Sequence, residues 1–316
     1  MQLQQLAYFV AVAEVRHFTR AAETLRVAQP SLSKQIRTLE SELGAPLFSR
    51  ARGNITLTPA GEALLPLARR VLADVETARR EVQDLTGLRR GRVRLGATPS
   101  LFAGLLADAL ALFHGRYPGI ELLVEESGSR DLVHDLTRGL LDLALIILPP
   151  QGTGPALETT PILREDLVVV SPRSAPPRRS PLRITDLRDR PLVMFRQGYD
   201  LREATQAACR QAGFEPTYAV EGGEMDAVLR FVEAGLGLAV VPSLVLPGRP
   251  GLTGTPLAPP GLRRTIALAH RKDVRPTHAA RAFQETLLGF LADAETSGGL
   301  PPGVRRTGRA GDPGAT

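Results

Sequence analysis

At 316 residues, 43% of them hydrophobic, the chain is long enough for two or three domains with cores of their own. It holds no run of about 18 apolar residues and opens on no basic segment followed by an apolar one, which argues against a spanning helix or an export signal and makes the cytoplasm the expected location. The formal charge of +6 is unevenly placed: residues 1–91 carry 13 Lys and Arg against 9 Asp and Glu, residues 92–300 carry 23 against 23, and residues 301–316 carry 3 against 1, which fits a basic nucleic-acid-binding module joined to a neutral one.

Residues 2–14 place Leu3, Leu6, Val10 and Ala13 on one helical face. Next, Phe18, Ala21, Ala22 and Leu25 recur at i, i+3, i+4 and i+7, an apolar face small enough for another helix to pack closely. After a short break Pro30, with its fixed φ and missing N–H, suits a first helical turn, and Leu32, Ile36, Leu39 and Leu43 follow at helical spacing. That arrangement leaves Ser31, Ser33, Lys34, Gln35, Arg37 and Thr38 pointing outward. Two helices across a tight turn, the second with hydroxyls, an amide and two cations on its free side, have the pattern of a DNA-reading helix-turn-helix. Hydroxyls and Lys can bind phosphate, Gln can pair with adenine and Lys with guanine. A plain surface helix hairpin fits the same periodicity. Gly44 can close the second helix in the left-handed region. The apolar segments Leu47-Phe48 and Ile55 to Thr58 around Gly53-Asn54 then read as a short hairpin, whose Arg50 and Arg52 would meet phosphates or stand solvated.

Met1 through Pro59, with Leu3, Leu6, Phe9, Phe18, Ala21, Ala22, Leu25, Gln29, Pro30, Ser31, Leu32, Ser33, Leu39, Glu40, Leu43, Gly44, Leu47, Phe48, Arg50, Thr58 and Pro59, resembles the N-terminal domain of LysR-type transcriptional regulators. The likeness is dense over residues 1 to about 65 and looser beyond. It implies an all-α-type winged helix-turn-helix over residues 1–58. Thr19, Gln29, Pro30, Ser31, Ser33, Lys34, Arg37, Arg50 and Arg52 are the candidate DNA contacts.

Thr58 and Pro59 have the chemistry of an N-cap and a first helical residue. From there Leu64, Ala68, Val71, Val75, Ala78, Val82 and Leu85 alternate steps of four and three, a seam that suggests a dimer helix over residues 59–91, with packing on the chain's own bulk as the alternative. Pro66 removes a hydrogen bond and predicts a kink or a weak first turn. Gly87 and Gly91, around Arg89-Arg90, read as a hinge.

Beyond Arg92 strands and helices alternate: strand Val93 to Ala97, helix Leu101 to Phe113, strand Ile120 to Val124, helix Asp131 to Leu140, strand Leu143 to Leu148. This βαβαβ run predicts parallel strands with right-handed crossovers. A second set follows, with strands at Leu167–Val170, Leu192–Phe195, Tyr218–Glu221 and Leu238–Val241 and helices at Leu201–Ala212 and Met225–Ala234. Strand Ile266–Ala269 and helix Pro276–Ala294 close the domain. Cys209 sits among alanines and reads as a small buried thiol; as the one cysteine it makes no internal disulfide, cysteine-rich zinc site or two-cysteine peroxide sensor. The overall class is α/β, and the family resemblance implies a periplasmic-binding-protein-like effector domain of two α/β subdomains over residues 92–295. Pro172 to Pro181 reads as a surface loop and residues 296–316, rich in Gly, Pro and Arg, as a disordered tail.

In open parallel sheets, ligands bind beyond the carboxyl ends of strands, where helix starts present free N–H groups. Four such junctions exist here: Thr98-Pro99-Ser100, Ser127-Gly128-Ser129, Arg196-Gln197-Gly198 and Gly222-Gly223-Glu224. The matching junctions bind effector in the resembled family, which makes Thr98, Pro99, Ser100, Ser127, Gly128, Arg196, Gln197 and Gly222 the candidate effector residues. Any one of them also fits an ordinary N-cap. Leu143 to Leu148 ends apolar, so no second cation is expected from that strand.

The five histidines fall in no metal-ligand spacing or nucleophile motif, and no Gly-rich nucleotide fingerprint follows a strand. An enzyme is therefore not expected, nor a catalytic residue, a metal or a cofactor beyond a small-molecule co-inducer. A solute-binding protein or a small-molecule-binding α/β enzyme is the alternative to a regulator. The expected partners are double-stranded DNA, a small anionic effector, a second copy of the chain in a homodimer or homotetramer, and RNA polymerase, with no membrane.

Overall fold

A computed structural model describes residues 1–49, 55–84, 91–149 and 152–307, without the side chains of residues 80–84. Expectations for Arg50, Arg52 and the Gly53-Asn54 turn, for Val82, Leu85 and the Gly87 hinge, and for the tail beyond Thr307 lie outside the described residues. The rest forms two compact units, one mainly within Met1–Leu85 and one within Thr86–Leu136 and Leu141–Thr316.

In the first unit α1 (Leu3–Val15), α2 (Phe18–Thr24) and α3 (Gln29–Leu43) precede a hairpin of β1 (Phe48–Ser49) and β2 (Thr56–Leu57), and α4 (Pro59–Asp84) follows. Phe9, Val12, Ala21, Leu32, Ile36 and Leu39 are buried together, and Phe48 closes the cluster by packing its ring 5.4 Å from Phe9 and 5.7 Å from Phe18. The buried face of α1 differs from the periodicity reading. Gln5, Leu6, Tyr8, Phe9 and Val12 point inward, whereas Leu3 is exposed and Val10 and Ala13 are only partly covered. The aromatic rings have more area to bury than Val10 and Ala13, so they set the rotation of the helix. Leu43 is likewise exposed, one turn past the core and next to Gly44, which caps α3 at φ +69° as expected.

Thr58 caps α4 as its chemistry suggests, its hydroxyl accepting from Gly61 N at 3.1 Å and donating to Pro46 O at 2.6 Å. A Cβ on Gly61 would stand 2.2 Å from Leu47 O, so only glycine lets the helix approach the hairpin this closely. The helix is continuous through Pro66. Its seam is divided. Ala68 is buried and Leu64, Leu65 and Leu72 pack on the helix-turn-helix core, so this part of the helix packs on the chain's own bulk. Leu67 and Val71 face outward.

The second unit has two lobes. In the first, β4 (Ile120–Glu126), β3 (Gly91–Ala97) and β5 (Leu143–Ile147) are parallel, as the βαβαβ reading requires, and Gly91 is the first residue of a strand rather than part of a hinge. Antiparallel β11 (Arg263–Arg271) extends the sheet beside β5. α5 (Pro99–Leu101), a π turn over Phe102–Leu106 and α6 (Ala107–Arg116) cover one face with α10 (His278–Thr296), and α7 (Ser129–Thr137) covers the other. In the second lobe β7 (Leu192–Phe195) and β8 (Tyr218–Gly223) are parallel, and β9 (Ala239–Pro242) and β10 (Leu252–Pro256) flank β6. α8 (Asp200–Gln211) and α9 (Met225–Glu233) complete it. Cys209 is fully buried there and burial pushes its thiol pKa up, which leaves it in the inert thiol form.

β6 (Leu157–Pro172) is one strand of 16 residues that belongs to both lobes: Leu157–Asp166 pairs with β11, Leu167–Pro172 with β9 and β10. The sequence reading found only its apolar second half, because Glu158, Arg164, Glu165 and Asp166 break the hydrophobic run. The return crossing is residues 257–262. The tail also differs from expectation, for β12 (Val304–Arg306) pairs antiparallel with β6 and buries Val304. A single apolar residue in a Gly/Pro/Arg stretch gives no periodicity to read, so this strand was invisible to composition. Among the described residues no helix is long and apolar enough to cross a membrane.

Candidate nucleic-acid interface and effector cleft

The helix-turn-helix presents Thr19, Gln29, Pro30, Ser31, Lys34 and Arg37 to solvent. Lys34 and Arg37 are one turn apart on α3 and both exposed. Ser33 departs from the expected outward face. It is 8% exposed and its hydroxyl accepts from Gln29 Nε2 at 2.9 Å, so it holds the Gln29 amide. Gln35 is half-buried and accepts from Gln5 Nε2 at 3.3 Å, which ties α3 to α1. The reading of outward polarity missed Glu40, whose Oε1 accepts the backbone N–H groups of Leu47 at 2.8 Å and Phe48 at 3.3 Å. That carboxylate fixes the hairpin strand to α3. Its role was hidden because it acts through backbone N–H groups, which carry no sequence signature.

In the effector domain the four junctions do meet around the space between the lobes, at different depths. Thr98 and Ser100 are buried; neither side chain caps a helix, and their hydroxyls lie 3.4 Å apart. Pro99 beside them is buried at the helix start. Ser100 Oγ accepts from Arg264 Nη2 at 2.9 Å, and Arg264 Nε donates to Glu165 Oε2 at 2.8 Å. The other Glu165 oxygen accepts from Leu244 N at 2.7 Å. With side chains 6% and 0% exposed, Arg264 and Glu165 form a buried ion pair whose two members each hold a further hydrogen bond, Arg264 to Ser100 and Glu165 to the backbone of Leu244, which helps such a pair to be tolerated.

Arg264 is the cation the sequence did not point to. It lies on β11, next to the apolar end of β5, in a strand recognisable from sequence only by its later residues Ile266 to Ala269. Arg196, one of the candidate effector residues, is paired with Glu224 and donates to Gln197 O at 3.3 Å. The Glu224 carboxylate raises its pKa further, so it stays a paired cation on the rim. Gln197 and Gly222 are exposed on the same rim, Gly222 with φ +103° at the end of β8.

Between rim and floor the lobes touch. Ser127 Oγ donates to Asp131 Oδ2 at 3.4 Å. A Cβ added to Gly128 would lie 4.0 Å from Gly198 O, so these two junctions face each other. Ser129 Oγ accepts from Ile147 N at 3.0 Å in its own lobe and donates to Asp200 Oδ2 at 2.9 Å in the other. Next to Gly198 in the chain, Tyr199, stacked on Phe195 at 4.8 Å, is 5% exposed and its hydroxyl has no hydrogen-bond partner in the protein. Burial pushes the Tyr199 pKa well up, against the opposing field of Arg264, with Glu224, Glu126 and Asp200 adding to the rise. A neutral phenol near an arginine, with a free donor and acceptor, is a hydrogen-bonding site for a third group.

The family model "LysR substrate binding domain" matches residues 86–292, and "Bacterial regulatory helix-turn-helix protein, lysR family" matches residues 3–62. The chain is 33% identical over 302 residues to the transcriptional dual regulator GltC of Bacillus subtilis, covering 93% of this chain and 99% of that protein. Among solved structures it is similar to a full-length, singly substituted OxyR from Pseudomonas aeruginosa, with TM-score 0.72, 26% identity and coverage of 98% and 99% of the two chains. Full-length CbnR complexed with its target DNA gives TM-score 0.67 at 26% identity, over 91% of this chain and 99% of that one.

Proposed function

This chain belongs to the LysR family of transcriptional regulators, and on that premise we propose that α3 reads an operator in duplex DNA while the cleft between the two lobes senses a small metabolite. The solved complex of CbnR with its target DNA supports the first half of this reading, because its helix-turn-helix region corresponds to one with Lys34 and Arg37 exposed here. The family consists of regulators rather than enzymes. A second copy of the chain is part of the proposal: Leu67 and Val71, exposed on α4, are the apolar surface that a partner helix would cover.

The observation that carries the sensing half is the unpartnered, buried Tyr199 hydroxyl, which lies in the field of Arg264, the cation that holds Ser100. A buried hydroxyl without a partner costs free energy, and a ligand atom that bonds it recovers that cost on binding. The chemistry favours a small monoanion. A single acceptor group, such as a carboxylate, suits the Tyr199 hydroxyl, which can donate to it. Glu126, Glu224 and Asp200 nearby disfavour a second negative charge and suit hydroxyl or amine donors on the ligand's other end. Ligand alters transcription only if it prefers one of two arrangements of the assembled regulator, since equal affinity shifts nothing.

Tyr199→Phe tests the assignment. With candidate metabolites screened by thermal shift, the variant should keep or slightly raise the apo melting temperature and lose affinity for the ligand that stabilises the wild-type chain. Unchanged affinity in Tyr199→Phe would remove the cleft floor from the site.

A further inference from the structure

A cavity of about 460 Å³ lies on the crossing segments, away from the cleft junctions. Val168 contributes from β6, Leu246 from the second lobe, Leu257 and Leu262 from the return crossing, and Pro302 from the C-terminal segment. The volume falls within the roughly 300–1,000 Å³ of small-molecule sites, and the walls are apolar with few polar groups, which is the usual composition of such a site. One of those polar groups is Ser243. It is 5% exposed and its hydroxyl has no hydrogen-bond partner in the protein. The charged groups on the lining, Asp166 and Arg263, already pair with each other at 3.0 Å. No uncompensated charge therefore awaits a ligand there.

We propose that this cavity is a second small-molecule site, which takes an uncharged, largely apolar molecule carrying one hydroxyl or carbonyl group for Ser243. The position gives such a ligand leverage. Its walls belong to both lobes, to one of the two segments that join them and to the approach to β12, so occupancy favours the arrangement of the lobes in which these walls stand as they do here. The C-terminal wall, Pro301 to Gly303, also lies beyond residues 86–292, the part that the family model matches.

Nile red, an uncharged apolar dye with one carbonyl, is the probe, titrated into the full chain with its emission followed. The wild type should show saturable binding with one dye per protomer. Leu257→Trp and Pro302→Trp, which add bulk to the lining from two separate segments, should each weaken binding by at least about tenfold while the melting temperature holds. Ser243→Ala should weaken it less, and Tyr199→Phe, in the cleft, should leave it unchanged. Should Leu257→Trp fold poorly, Pro302→Trp decides, because Pro302 is exposed and tolerates a larger side chain. Absence of saturable binding to the wild type, wild-type affinity in Pro302→Trp, or loss of binding in Tyr199→Phe would each overturn the proposal.

Discussion

Arg264 Nη2 donates to Ser100 Oγ at 2.9 Å, joining residues 164 positions apart in sequence at the floor of the cleft. Ser100 is therefore part of a buried network that runs through Arg264 to Glu165 and the backbone of Leu244. Ser100→Ala would leave a buried guanidinium N–H short of one acceptor, and unfolding in urea should show a loss of about 1–3 kcal/mol without any ligand. Apo stability equal to wild type would mean that the hydroxyl is not needed there and would return Ser100 to a pure ligand contact.

The recognition helix gives two separable outcomes. Arg37→Ala should weaken DNA binding evenly across sequences and lower the slope of log affinity against log salt by about one, as expected for the loss of one phosphate contact. Gln29→Ala should relax a base preference at one operator position at a cost of about 1–3 kcal/mol. Gel shifts across a salt series and an operator-variant panel measure both, and wild-type behaviour in the two variants would discard α3 as the reading element.

On α4, Val71 is 39% exposed and apolar. In a twofold assembly it would meet a symmetry mate or its neighbour, so Val71→Asp should place carboxylates in an apolar contact and shift the chain toward monomer in sedimentation. Because the site is exposed within a single chain, the circular dichroism melting of the variant should resemble that of wild type. A wild-type sedimentation profile would place the main contact elsewhere.

The pKa of Glu126 is raised, first by partial burial and then by the Glu224 and Asp226 carboxylates. A carboxylate with a raised folded-state pKa binds its proton more tightly in the folded than in the unfolded chain, so its unfavourable contribution is full at neutral pH and fades as pH falls through the raised value. Glu126→Gln should thus stabilise the effector domain at neutral pH, with the advantage shrinking as the solution approaches the ordinary carboxylate range. Melting temperatures of the two proteins measured from neutral to mildly acidic pH check this, and a constant difference would contradict it.

Long periodic elements were legible in the sequence: the three N-terminal helices, the hairpin, α4 and the alternating βα run all stand where spacing and capping chemistry put them. So were the four cleft junctions, since strand ends and helix starts have local signatures. Contacts that depend on tertiary closure were not legible. Ser33 looks outward on a helical wheel, yet it is buried and accepts a hydrogen bond from Gln29. Arg264 gave no sign of becoming the cleft's cation, because its two side-chain partners come from residues 99 and 164 positions away. A buried charge reads as a solvated one until its counter-charge is located.

The short strand β12 has a consequence for the unbound side of β6. Leu163 to Glu165 pair with β11 on one side and with Arg306 to Val304 on the other. A chain cut after Thr296 would uncover a row of free N–H and C=O groups along that border, an open template for a strand from a neighbouring molecule. The composition of the last twenty residues suggests something expendable. Three of them occupy that border and leave it no open hydrogen-bonding groups to offer.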